Sequence, residues 1–229
     1  VVTIRWDEAY RIIYSRYPFV SIFDEISDPA DLDAIIELEQ RTNDRIRNEI
    51  GELALIRPED RIAGPGTTPI MADFTHARES RFGDGSYGVY YAARRRDTAI
   101  CETVYHVQRF YRDTREVSAD VDMRVYAAAI AGSFDDLLSA PATDPRLDPQ
   151  SYLASRAYAR PLYNANVVDG IAYPSVRDPA RGACLACFRA RSISACYTHS
   201  YLTYRWDGTL QRIVDVFERG SLADPDTRG

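Results

Sequence analysis

The segment Arg81-Phe82-Gly83-Asp84-Gly85-Ser86-Tyr87-Gly88-Val89-Tyr90-Tyr91-Ala92-Ala93 constrains the chain more than any other. Three glycines in six positions describe backbone that turns tightly or passes close to something. The apolar and aromatic run at 88–93 then reads as a strand. Asp97 follows as the expected N-cap of a helix from Thr98 to about Tyr111, with Ala99, Ile100, Thr103, Val104 and Val107 as its apolar stripe. This order of loop, strand and helix excludes a Rossmann fingerprint. The letters Gly83-x-Gly85-x-x-Gly88 match, but they precede a strand and open no helix.

The rest of the chain supplies more of both element types. A strand is expected over 10–17, ending before Pro18. Asp28-Pro29 opens a long amphipathic helix over about 29–50. A loop runs through Gly64-Pro65-Gly66, and a short helix starts at Pro69 behind Thr68. Strands are expected at 121–130, 170–175, 183–190, 195–206 and 209–217, the last two joined by the hairpin signal Asp207-Gly208. A helix is expected at 150–163. The irregular interleaving favours a compact α+β fold, central twisted sheets flanked by helices, over a doubly wound sheet. With 229 residues the expectation is one domain over 1–229, its core at about 81–190 and the long helix in an N-terminal extension.

Composition narrows the class of function. The chain is 45% hydrophobic and 27% charged, the profile of a soluble globular protein. No apolar run is long enough to cross a bilayer, and no basic-then-apolar leader is seen. The net charge of −6 argues against nucleic acid as a direct partner. All 28 basic residues are Arg, which reads first as a composition bias, so only individual positions carry weight. Cys184-x-x-Cys187 could pair only with Cys196 and His199 in a metal site. On a strand, residues three apart face opposite sides, so these cysteines read as core residues and no metal is expected. Reduced thiols fit a cytoplasmic protein.

One constellation remains: Arg81-Phe82, then Gly88-x-x-Tyr91, then Thr98-Ala99-Ile100-x-Glu102, then Gly170-Ile171-x-Tyr173-x-Ser175. In this order and context the chain resembles the RES domain, a family named for its Arg, Glu and Ser. Those three match Arg81, Glu102 and Ser175. Tyr91, eleven residues before Glu102, matches the family's active-site Tyr. The resemblance implies an ADP-ribosyltransferase-like fold and a toxin paired with an Xre-like antitoxin in a symmetric complex. NAD+ is then a substrate, with no other cofactor. The nicotinamide–ribose bond is cleaved, and ADP-ribose passes to a protein, to water or to phosphate.

The residue types suit that chemistry. A buried Arg81 could hold pyrophosphate oxygens bidentately. The ring of Tyr91 could stack on cationic nicotinamide. Glu102 could stabilise the positive, oxocarbenium-like ribose. Nicotinamide leaves readily, so one carboxylate suffices where most glycosidases need two. Ser175, past a strand end, could bond to the ribose or to the nicotinamide amide. Further candidates for binding NAD+ are His76, Ser86, Tyr87 and Arg11, the last resembling an early Arg of the family. Tyr90 reads as core, His106 as a packed or surface residue, and Arg177 as a weaker phosphate candidate. Each taken singly also has an ordinary reading as an ion pair, packing residue or turn. The front extension adds surface that favours a protein acceptor, with NAD+ depletion as the alternative. A binding module that kept the fold and lost the chemistry is the rival from another class.

Overall fold

A computed structural model describes residues 1–15, 23–24 and 52–219. The long helix expected at 29–50 lies outside the described residues, as does the end of the strand expected at 10–17. Seven strands form one mixed sheet in the order β1-β2-β5-β4-β3-β6-β7. They are β1 (Val2–Tyr14), β2 (Tyr90–Ala93), β3 (Ala119–Asp136), β4 (Gly170–Pro174), β5 (Ala183–Cys187), β6 (Tyr197–Asp207) and β7 (Arg212–Glu218). Three α-helices are described: α1 (Thr68–Thr75), α2 (Arg96–Thr114) and α3 (Leu153–Ala165). This is the α+β architecture the sequence predicts.

The sheet nearly closes on itself. β3 pairs antiparallel with β1 from Val2↔Phe134 to Tyr14↔Met123, and with β6 along its first half. Its last residues, Phe134–Asp136, run parallel to β4. β2 joins β5 over four residue pairs but meets β1 only at Tyr10↔Ala93. The ring β1-β2-β5-β4-β3 is therefore weakest at the β1/β2 seam.

Two apolar clusters lie on the two faces. One gathers Trp6, Ala9, Tyr90, Ala92, Ala128, Ala172 and Cys187. The other gathers Ile12, Ala93, Val107, Met123, Ile171, Tyr173 and Cys184. Alternation along β2, β4 and β5 sends neighbours to opposite clusters, as central strands covered on both faces require. Cys184 and Cys187 are accordingly on opposite sides. Among the described residues no helix is long and apolar enough to cross a membrane.

Several boundaries differ from the sequence reading, each for a local reason. Asp97 is not the N-cap of α2. That position is Arg95, and Asp97 sits in the first turn, where its charge meets the positive helix end. α2 runs on to Thr114 and stops where Arg115 turns left-handed at φ 54°. β3 outlasts its β-branched stretch because β1 and then β4 pair with Ala-Gly-Ser at 131–133 and the residues after it; tertiary pairing overrides weak propensity. Gly85 has φ +88°, and a Cβ on Gly88 would collide with the backbone of Asp73 and Phe74. The glycine-rich loop therefore turns at Gly85 and packs tightly on α1 at Gly88.

Candidate active site

A cleft of about 940 Å³ opens between β1, α1, α2 and the glycine-rich loop. Arg81, Tyr91 and Glu102, spread over three elements, all line it. His76, Arg11 and His106 line it too.

Arg81 is 7% exposed. Its Nη1 donates to the Asp148 carbonyl at 2.8 Å, and its guanidinium sits 4.6 Å from the centre of the Tyr152 ring. Among the described residues no carboxylate pairs with it. A buried cation without a counter-charge is costly, so this position favours an anionic ligand.

Tyr91 is tied down by its hydroxyl. The oxygen accepts from the Phe82 N–H at 2.9 Å and shares a hydrogen bond with Ser80 Oγ at 2.9 Å. Burial pushes the phenol up to about 12, against the opposing pull of those bonds and of Arg81. The phenol is therefore protonated at neutral pH. It pins the loop carrying Arg81, while its ring forms part of the cleft wall.

Glu102 enters from the second turn of α2. Ser175 Oγ donates to Glu102 Oε1 at 2.5 Å. The same Oγ accepts from the N–H groups of Arg177 (3.1 Å) and Asp178 (2.9 Å), so its one proton goes to the carboxylate. Glu102 Oε2 has no partner among the described residues. Ser175 is fully buried and does not line the cleft. The direct bond to ribose or amide expected for it is corrected: Ser175 orients Glu102.

Shared neighbours place these groups together. Burial raises the Tyr173 phenol and the Cys184 thiol well above their usual values; Glu102 raises both further and Arg81 opposes it. His106 stands at the cleft mouth. Partial desolvation, then the charges of Arg177, Arg109 and Arg81, bring it down to about 4, so it is neutral at pH 7.

The remaining candidates divide. Arg11 reaches across the β1/β2 seam, donating to the Tyr91 carbonyl (3.1 Å) and to Asp73 Oδ1 (2.5 Å). His76 caps the C-terminal end of α1, its Nδ1 within 3.1 Å of Thr75 Oγ1 and 3.2 Å of the Ala72 carbonyl. Ser86 and Tyr87 do not line the cleft. Ser86 is exposed and bonded to Asp84 and Arg160. Tyr87 is buried, donates to the Phe82 carbonyl at 2.7 Å and stacks on Tyr163 at 3.9 Å. Their place in a glycine-rich loop made them look like ligand contacts, but the loop turns them toward α3. Tyr90 is core, as read. Arg177 lies 3.3 Å over the Tyr105 ring and donates to the Pro149 carbonyl, outside the cleft.

Sequence reasoning missed Asp73, Arg124 and Tyr152, all of which line the cleft. Only Asp73 carried a signal, lying one helical turn before His76. Burial pushes its carboxyl up to about 6 despite Arg11, Arg78 and His76.

Two comparisons bear on this arrangement. The model of the RES domain matches residues 58–207, which include Arg81, Tyr91, Glu102 and Ser175. The uncharacterized protein y4oC of Sinorhizobium fredii is 26% identical over 226 residues, covering 97% of this chain and 94% of that protein. With the matched region spanning most of the chain, this chain belongs to the RES-domain family.

Proposed function

We propose that this protein is the toxin of a toxin–antitoxin pair, an enzyme that cleaves the nicotinamide–ribose bond of NAD+ and transfers ADP-ribose. The observation carrying this reading is a buried cation, Arg81, with no paired carboxylate among the described residues, in the same cleft as Glu102, whose Oε2 has no partner among them. In this reading Arg81 holds pyrophosphate oxygens. The Tyr91 ring forms a face for the nicotinamide. Nicotinamide departs with the electron pair of the glycosidic bond, and Glu102 Oε2 stabilises the positive ribose left behind. The acceptor then bonds to the ribose carbon and loses its proton. A protein side chain is the acceptor favoured here, on the ground that the chain extends in front of the matched region at 58–207 beyond what a small acceptor needs. Water and phosphate are the alternatives. The protein acts in the cytoplasm, and an Xre-like antitoxin neutralises it by occluding the cleft in a symmetric complex.

Incubation with NAD+ labelled in the ADP-ribose half, with and without cell lysate, tests the reaction. A labelled protein band means transfer, and free ADP-ribose or its phosphate means depletion. Glu102→Ala is expected to lower nicotinamide release by about 10²–10³-fold. Arg81→Ala and Glu102→Ala are both expected to relieve growth arrest on expression. Unchanged nicotinamide release by Glu102→Ala would leave a non-catalytic binding module as the better reading.

A further inference from the structure

Asp73 Oδ2, Tyr90 Oη and Arg124 Nε are buried polar atoms without a hydrogen-bond partner among the described residues. Asp73 bonds to Arg11 through its other oxygen, and the Arg11 guanidinium sits 5.0 Å over the Tyr90 ring. Arg124 reaches the same face by register. Arg11 pairs with Tyr126 across β1/β3, and Arg124 lies two residues from Tyr126 on β3. Diagonal neighbours on one sheet face are within reach of long side chains. Buried polar groups are nearly always satisfied, and Asp73 and Arg124, which both line the cleft, each carry an unpartnered one, so they mark a place where something polar is missing.

The charge there indicates what it is. Arg11 and Asp73 neutralise each other at 2.5 Å. Arg124 has no carboxylate partner among the described residues. Its Nη1 donates to Tyr126 Oη at 3.0 Å, and its guanidinium lies 5.8 Å from the Tyr126 ring and 5.5 Å from the Tyr201 ring. The guanidinium is thus held in place, Arg124 lines the cleft, and its Nε–H has no partner among the described residues. A fixed guanidinium of this kind suits an oxyanion with several acceptor oxygens.

We infer that Arg124 forms a second anion subsite in the cleft, distinct from Arg81, which takes a phosphate group. The inference rests on the NAD+-cleavage reading. Two sources share the chemistry: a phosphate of the dinucleotide, and free inorganic phosphate acting as acceptor.

Wild type, Arg124→Gln and Arg124→Met are compared in two ways. Nicotinamide release is followed across NAD+ and inorganic phosphate concentrations, and melting temperature is followed with inorganic phosphate or ADP-ribose. If the subsite holds the dinucleotide, KM for NAD+ rises roughly ten- to a hundredfold with kcat nearly unchanged. The stabilisation by ADP-ribose then falls in parallel. If it holds free phosphate, KM for NAD+ stays, and the variants lose both the phosphate dependence of the rate and the melting shift in phosphate. Arg124→Met keeps the apolar stem and carries the test if Arg124→Gln does not fold. Variants that fold and match wild type in every one of these readouts overturn the inference. A wild type releasing no nicotinamide removes the cleavage reading instead. The ligand-induced melting shifts then decide on Arg124 alone: lost in the variants they support it, retained or absent in wild type they overturn it.

Discussion

At the scale of single residues, the site is organised around where protons are fixed. Ser175 gives its only proton to Glu102 because two backbone N–H groups already point at its oxygen. Ser175→Ala removes that bond and lets the Glu102 carboxylate rotate. Nicotinamide release is expected to show kcat reduced about tenfold with KM little changed, since one charge-assisted hydrogen bond is worth about 1.5–3 kcal/mol. A fall confined to KM would argue for direct substrate contact by Ser175. Asp73 gives a prediction of opposite kind. Its carboxyl is raised from 3.8 to about 6, so its ionised form costs the folded state. The sign follows: protonated Asp73 is the stabilising form, present below about pH 4 and lost as pH rises through about 6. Asp73→Asn mimics the protonated state. Its stability relative to wild type, from urea titrations, is expected to be near equal at pH 4 and to favour the variant by about 1–3 kcal/mol at pH 7.5. The other titrating groups are common to both proteins and cancel. Arg81, Tyr91 and Glu102 could be singled out in the sequence because, in order and context, they resemble the RES domain, and the structure brings all three to one cleft. Asp73, Arg124 and Tyr152 were not. They arrive in the cleft through the α1 contact, the β1/β3 register and the turn before α3, and none of these is written in local spacing.

At the scale of elements, α3 braces the loop that carries Arg81. Arg156 Nε donates to the Ser80 carbonyl at 2.8 Å and Nη1 to Glu79 at 2.9 Å. Arg160 reaches Asp84 and Ser86, and Tyr163 stacks on Tyr87. The centre of the Tyr152 ring, just before the helix, lies 4.6 Å from the Arg81 guanidinium and 5.9 Å from that of Arg156. Arg156→Ala should loosen the loop without unfolding the sheet. Hydrogen exchange of the amides at 79–86 is expected to speed up, and KM for NAD+ to rise several-fold. Global stability should fall by only about 1 kcal/mol, the size of one or two part-exposed hydrogen bonds. Unchanged exchange in the loop would show that Tyr91 and the tight packing at Gly88 hold it unaided. The elements themselves were largely readable, because alternation and the Asp207-Gly208 signal are local. The length of β3 and the start of α2 were not. Pairing with β1 and β4 extends the first, and the α2 start needs no side-chain cap.

At the scale of the whole molecule, the cleft lies beside the weakest closure of the sheet. β1 and β2 share one paired position, and Arg11 ties them through the Tyr91 carbonyl. A ligand filling this cleft contacts β1, α1, α2 and the glycine-rich loop together. Its binding energy therefore adds to the stability of the whole fold rather than of one loop. A ligand at a hundred times its Kd contributes about 2.7 kcal/mol. The proposed roles of Arg81 and Glu102 then separate without an activity assay. In Glu102→Gln, which retains the cleft and loses turnover, NAD+ is expected to raise the melting temperature by several degrees. In Arg81→Ala, at the same NAD+ concentration, the rise should shrink or vanish, because the anion-binding cation is gone while the carboxylate remains. Differential scanning fluorimetry of both variants against NAD+ measures this directly. Equal rises in the two would mean that the buried guanidinium does not hold the dinucleotide, and Arg81 would then be a brace for Tyr152 and the Asp148 carbonyl alone.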